Sequence, residues 1–221
     1  MTLEEIQSGQ IFLVDKPLNW TSFQVVNKIK HRLKKEFGLK KIKVGHAGTL
    51  DPKATGLLIV CTGKATKNIS QIQDAPKEYR VEIKIGVQTE SFDTEKPEIL
   101  HCDFSHISEE KILTTLEKFI GDIEQKPPVF SAVKIAGNRA YDLARAGEKP
   151  EMKTRKIFIF YINDIEISLP FVRFTVGCSK GTYIRSLAHD IGQKLSVGAY
   201  LTQLRRTKIG EYLVECTNLS V

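Results

Sequence analysis

Residues 45–58 read Gly45-His46-Ala47-Gly48-Thr49-Leu50-Asp51-Pro52-Lys53-Ala54-Thr55-Gly56-Leu57-Leu58. Glycines and small residues precede an apolar run over 57–61, so the stretch predicts a tight loop over 45–56 feeding a buried strand. Pro52 disfavours helical dihedrals at the residue before it, which places Asp51 on extended backbone rather than at a helix cap. Gly45, Gly48 and Gly56 let the chain bend closely around a neighbour. Residue types alone leave two readings open: an ordinary Asp-Pro turn, or a carboxylate held at a loop tip for chemistry.

Outward from that loop, the chain mixes strand and helix patterns. Residues 11–14 form a short apolar strand closed by Asp15-Lys16-Pro17. Thr21 and Gln24 have the spacing of a capping box. Phe23, Val26, Ile29, Leu33 and Phe37 then recur at three- and four-residue steps, one inward stripe of a helix that Gly38 ends. Over 79–87, Tyr79, Val81, Ile83, Ile85 and Val87 share one face of a strand, and Arg80, Glu82 and Lys84 the other. Residues 108–119 predict a helix with Ile112, Leu113, Leu116 and Phe119 inward. After the break at Lys126-Pro127-Pro128, residues 130–153 read as an excursion carrying a short helix. Two long strands, 157–167 and 171–178, precede a helix with Ile184, Leu187, Ala188, Ile191 and Leu195 inward. Without strict β-α alternation, the expected fold class is α+β, with a mixed, largely antiparallel sheet in one domain over 1–221.

The formal net charge is +7, and its distribution is uneven. Eight Lys/Arg residues stand between Lys28 and Lys43 against the single acid Glu36. Further cations lie over 149–156 and at Arg205, Arg206 and Lys208. Such concentration suits a phosphate backbone, and equally a solvated basic face. Cys61, Cys102, Cys178 and Cys216 are too scattered for a zinc knuckle or a disulfide framework. His101, Cys102 and His106 lack a second ligand pair for structural zinc. No apolar run approaches a membrane span, and the acidic start at Glu4 and Glu5 is unlike a signal peptide. A cytosolic protein is expected.

The stretch 45–58 resembles the catalytic loop of the TruB family of tRNA pseudouridine synthases, and further blocks agree in the family's order. Asp15-Lys16-Pro17 with Thr21-Ser22 is similar to its N-terminal motif, and Gly63-Lys64-Ala65-Thr66-Lys67 to its post-strand turn. Lys77-Glu78-Tyr79 is similar to its tyrosine strand, and Pro128-Val129-Phe130-Ser131-Ala132-Val133-Lys134 to the start of its RNA-gripping insertion, here about 126–153. Cys178-Ser179-Lys180-Gly181-Thr182-Tyr183-Ile184-Arg185 resembles its arginine motif, and Leu204-Arg205-Arg206 its last. Asn19 stands where the family carries glycine. Little follows Tyr212, so no separate C-terminal RNA-binding domain is expected.

The resemblance implies a pseudouridine synthase fold and an isomerase acting on the T loop of tRNA, at position 55. Breaking the C1′–N1 bond of a uridine and joining C5 to C1′ neither gains nor loses atoms and involves no redox change. No cofactor and no metal are therefore needed. Asp51 is implied as the essential carboxylate, either attacking C1′ or removing the C2′ proton. The target base must be flipped out to be reached. Tyr79 would stack on it and help remove the C5 proton, His46 would fill the space it leaves, and Tyr183 and Leu204 would line its pocket. Arg185 would pair with the carboxylate, and Lys16 would support the site. For RNA backbone contacts the candidates are Lys34, Lys35, Lys40, Lys41, Lys43, Arg205 and Arg206. The implied partner is the tRNA T arm, with neither a membrane nor an obligatory protein partner.

Three rivals compete. A non-catalytic RNA-binding module explains the basic helix but not an acid in the loop. A nucleic-acid glycosidase usually uses two carboxylates, and only Asp190 offers itself as a second. A phosphate-cradling nucleotidase built on Gly63-Lys64 misses the P-loop pattern, with Leu58 at the first glycine position and Ala65 after the lysine.

Overall fold

The structure, a computed structural model, describes residues 2–131, 133–135, 137–148 and 150–219, without the side chains of Leu100 and Arg145. Ala132 of the insertion motif and Lys149 of the second cation cluster lie outside the described residues. In chain order the first elements are α1 (Leu3–Ser8), β1 (Ile11–Lys16), α2 (Ser22–Glu36), β2 (Val44–His46), β3 (Ala54–Thr62), α3 (Ile69–Asp74) and β4 (Lys77–Ile85). Then come β5 (Val87–Thr89), β6 (Glu98–His101), α4 (Glu109–Glu117), β7 (Gly121–Gln125), β8 (Lys134–Ile135), β9 (Asn138–Arg139) and α5 (Ala140–Arg145). The last are β10 (Arg155–Ser168), β11 (Phe171–Cys178), α6 (Ile184–Leu195), β12 (Ala199–Ile209) and β13 (Tyr212–Leu213).

These elements form two compact units, one of Met1–Arg80 with Leu204–Val221 and the other of Val81–Gln203. The strands β4 and β12 run through both.

In the first unit, β3 is flanked by β1, antiparallel, and by β12, parallel, with β2 also paired to β3. Alternation along β1 and β3 sends Phe12, Val14, Leu58 and Val60 toward α2, where Val25, Val26, Ile29 and Leu33 meet them. Leu13, Leu57, Ile59 and Cys61 point the other way, onto Ala47, Ile72, Ile209 and Val214. Covered on both faces, the strand has no polar side to show, which is why 57–61 reads as an unbroken apolar run. The strand begins earlier than its apolar run, at Ala54, and β2 takes Gly45 and His46, so the loop is confined to 47–53.

The capping box forms as expected: Thr21 Oγ1 accepts from Gln24 N, and Gln24 Oε1 accepts from Thr21 N. The phase of α2 differs from the expected stripe. Ser22 is pulled inward, so the buried face is Ser22, Val25, Val26, Ile29 and Leu33. Phe23 sits about 100° further round the helix and is 68% exposed.

β3 and β12 approach closely at Gly56, which has φ +100 and where a Cβ would lie 2.3 Å from the carbonyl oxygen of Arg206. Gly56→Ala combines left-handed strain with a backbone collision and is expected to destabilise folding by about 2–5 kcal/mol, read as a lower urea midpoint.

In the second unit the strands run β12-β4-β11-β10-β7. β10 pairs antiparallel with both β11 and β7. α6 buries Ile184, Leu187, Ala188, Ile191 and Leu195 as expected, and also Arg185 and Ser186, so its first turn has no outer side. In α4 the inner face is Ile112, Thr115 and Leu116, while Leu113 is 39% exposed. Glu82, assigned by alternation to the polar face of β4, is buried: it accepts from Arg173, Thr202 and Gln203. The excursion over 130–153 carries the β8–β9 hairpin and α5. With parallel β3–β12 among antiparallel pairs, the α+β expectation holds.

Candidate active site

The Asp51 loop is held from three directions, all within the first unit. Ser22 Oγ accepts from Leu50 N at 2.9 Å and donates to Leu50 O at 3.0 Å, fixing the loop to the start of α2. Asn19 N donates to Pro52 O at 2.8 Å. Asn19 itself has φ +64, a left-handed geometry that asparagine tolerates. Ala54 N donates to Asp51 O at 3.0 Å, closing a turn under the carboxylate.

Two buried cations complete the clamp. Lys16, fully buried at the end of β1, donates from Nζ to Trp20 O (2.7 Å), Pro17 O (2.9 Å) and Pro52 O (3.5 Å). Arg206, 1% exposed on β12, donates from Nε to Leu57 O (2.8 Å), from Nη2 to Gly48 O (3.1 Å) and from Nη1 to Thr49 O (3.4 Å). This corrects the assignment of Arg206 to the RNA backbone: the side chain is buried, and its donors are spent on carbonyls of β3 and the Asp51 loop. Arg205, its neighbour on the opposite face, forms a two-pronged ion pair with Asp15 at 3.0 and 2.6 Å. Alternation along the strand forces that division, one arginine inward and the next outward.

Burial lowers the pKa of Lys16 to about 8; the charge of Asp51 acts against that shift and the charge of Arg206 adds to it. The folded value lies below the unfolded 10.5, so between about 8 and 10.5 the unfolded chain holds the extra proton. This site alone therefore makes folding more favourable as pH rises through that window. Activity is expected to show the reverse: as Lys16 loses its charge, the cation beside Asp51 disappears. An alkaline limb in kcat/KM with a midpoint near 8 is expected. Lys16→Arg should move it upward by more than about two pH units, since a guanidinium keeps its proton. An unchanged normalised pH profile in Lys16→Arg would remove Lys16 from that limb.

His46 ends β2 beside this clamp. Burial and the charge of Arg206 lower its pKa, with the Gly48 backbone opposing, so the ring is neutral at physiological pH. Tyr79 lies on β4, 8% exposed, and Leu204 is half-buried on β12 in register with Ala54 of β3. Of the candidate backbone lysines, Lys34 is half-buried and Lys35, Lys40, Lys41 and Lys43 are exposed.

Tyr183 and Arg185 belong to the second unit. Tyr183 precedes α6; its N–H donates to Gln125 Oε1 (2.7 Å), and Gln125 Nε2 donates to its carbonyl (3.1 Å). The Arg155 guanidinium lies 5.4 Å from the Tyr183 ring centroid, within cation–π range. Arg185 is 5% exposed rather than on an outer helix side. Its Nη1 lies 3.5 Å from Asp93 Oδ2 and donates to Ser91 O at 3.4 Å, while Nη2 donates to Phe130 O at 3.0 Å. Asp93 is fixed in turn by Ser91 Oγ (2.6 Å) and Glu95 N (2.9 Å), both donating to Oδ1. The sequence reading missed Asp93. Its Ser-x-Asp spacing reads as an Asx-type turn, and nothing local reveals a buried arginine 92 residues further on.

Comparison with known proteins bears on the family and the fold. The sequence profile of the TruB family pseudouridylate synthase N-terminal domain matches residues 34–184. The profile of the tRNA pseudouridylate synthase B C-terminal domain matches residues 185–220. The tRNA pseudouridine synthase B of Phocaeicola vulgatus is 52% identical over 209 residues, 95% of this chain and 89% of that protein. The protein of the same name from Flavobacterium johnsoniae is 53% identical over 216 residues, 97% of this chain and 94% of the relative. Among solved structures, a chain of a Cbf5-Nop10-Gar1 complex superposes with a TM-score of 0.73 at 35% identity, covering 99% of this chain and 54% of that one. A chain of an H/ACA ribonucleoprotein bound to a substrate RNA containing 2′-deoxyuridine gives 0.69 at 32%, covering 97% and 51%. Fold and sequence thus converge on a pseudouridine synthase. Within that class, the chain belongs to the TruB family.

Proposed function

We propose that this protein isomerises a uridine in the T loop of tRNA to pseudouridine, with Asp51 as the essential carboxylate. The observation that carries the reading is the clamped Asp51 loop, present in a chain more than half identical to tRNA pseudouridine synthases over nearly its whole length. A stacked uridine is flipped into the pocket. Asp51 then attacks C1′ as N1 leaves, or takes the C2′ proton as the C1′–N1 bond breaks. The uracil turns, C5 bonds to C1′ as the Asp51–C1′ ester breaks or as C2′ takes back its proton, and the C5 proton is then lost as N1 regains one, so the atoms balance without a cofactor. Arg185 pairs with Asp51 and keeps it ionised and aimed, held in its own place by Asp93. Tyr79 stacks on the uracil, Tyr183 and Leu204 line its pocket, and His46, neutral and flat, fills the gap left in the RNA. The insertion over 126–153 grips the arm, and the chain works in the cytoplasm as one catalytic domain without an obligatory protein partner.

Incubation with an unmodified tRNA transcript, without added metal or nucleotide, followed by nucleoside analysis, tests the proposal. Pseudouridine in the T loop supports it; free uracil would indicate a glycosidase, and unchanged RNA a binding module.

The basic end of α2 and the segment after it carry the electrostatic share of affinity. With Lys34, Lys35, Lys40 and Lys41 changed to glutamine, the slope of log Kd against log salt is expected to flatten by up to about 3. A slope equal to that of wild type would leave these lysines facing solvent only.

A further inference from the structure

Phe23 is 68% exposed, more than any other large apolar side chain among the described residues, and Leu18 is 52% exposed. An isolated exposed apolar residue is ordinary. These two are not isolated: they flank the end of α2 that is tied to the Asp51 loop. Ser22, between them in sequence, holds Leu50, and Asn19 holds Pro52 and accepts from Lys53 Nζ at 3.1 Å. Trp20 lies in the same segment with Lys28 Nζ 5.0 Å from its ring centroid.

The surroundings decide what covers this surface. Along the helix Phe23 starts a stripe that continues through Asn27, Lys30 and Lys34 at i+4, i+7 and i+11, with Lys28 and Lys35 beside it. The only acid in α2 is Glu36, at the far end, 3.8 Å from Arg32. An apolar protein partner has no use for so one-signed a border. An exposed flat ring at the start of the helix, with a positive stripe leading away from it over about 20 Å, is the chemistry that holds an unpaired base by its face and the following phosphates by charge.

We propose that Leu18 and Phe23 form a stacking platform for an unpaired base of the substrate RNA close to the extruded uridine, with Lys28, Lys30 and Lys34 on the adjoining phosphates. The proposal rests on the pseudouridine synthase reading and adds to it a residue that sets affinity for the loop rather than the rate of isomerisation.

Trp20, the single tryptophan of the chain, gives the test its signal. In Asp51→Asn protein, titration with an unmodified T-arm hairpin is expected to change Trp20 emission. Phe23→Ala should weaken Kd by about ten- to a hundredfold, Phe23→Tyr by less than about threefold, and Phe23→Leu nearly as much as alanine, because leucine has no π face. With Asp51 restored, Phe23→Ala should raise KM by a similar factor and leave kcat at saturating RNA within about twofold, with an unchanged thermal melt. Unaltered Kd and KM in Phe23→Ala would overturn the platform, as would full rescue by leucine. A dimer of the free protein that dissociates on Phe23→Ala, seen by sedimentation, would give the surface to a second copy and overturn it too. The functional reading fails separately, if the wild-type protein forms no pseudouridine; hairpin affinity still decides the platform.

Discussion

Asp51→Asn is expected to lower turnover on unmodified tRNA by at least about 10⁴-fold, about 5.5 kcal/mol of barrier, while Kd for the same RNA stays within about threefold. The substitution is nearly isosteric, and what holds the loop is largely backbone: Ser22 on Leu50, Asn19 and Lys16 on Pro52, Arg206 on Gly48 and Thr49. Those contacts survive loss of the carboxylate charge. An amide is neither a competent nucleophile at C1′ nor a base toward C2′, so both routes close together. Single-turnover measurement with excess enzyme removes product release from the comparison, and tritium release from C5 gives an independent readout. Residual turnover above about one per cent would remove Asp51 from the chemistry, whichever route is taken.

Arg206→Met should have the largest effect on stability, about 3–5 kcal/mol, together with a fall in kcat that Kd does not share. The side chain is 1% exposed and supplies donors to Leu57 O, Gly48 O and Thr49 O. Methionine fills much of the volume, so the loss is mainly of hydrogen bonds to these carbonyls, above all the one to the carbonyl of buried Leu57. Two of those carbonyls belong to the Asp51 loop, so the loop loosens as the fold weakens. Arg206 acts as a positioning residue, and the separation of kcat from Kd distinguishes that role from contact with RNA. Urea denaturation measures the first effect and saturation kinetics the second. A Kd that rises with an unchanged midpoint would instead restore Arg206 to the RNA surface.

Much of the architecture was legible locally. The Thr21–Gln24 capping box and the two long strands of 157–167 and 171–178 appear with boundaries within two residues. Each rests on interactions between residues close in sequence or on the alternation of a single strand. The errors share a cause. Periodicity places Phe23 inward, yet the hydrogen bonds between Ser22 and Leu50 turn Ser22 to the buried side of α2. Alternation places Glu82 outward, yet Arg173, Thr202 and Gln203 make its burial tolerable. Arg206 has the composition of a surface cation and the position of a core one.

By itself, the sequence determined the α+β class, the loop and strand around Asp51, the TruB family resemblance and the reaction that follows from it, because short motifs fix local backbone and the residue types chemistry requires. Only the tertiary structure decided which charges are buried. Arg185 and Arg206 differ from solvated cations in the carbonyls and carboxylate brought to them from distant segments, and Lys16 in a burial that adds Pro52 O to the nearby Pro17 and Trp20 carbonyls. The free energy of a charge depends on those surroundings, not on its neighbours along the chain.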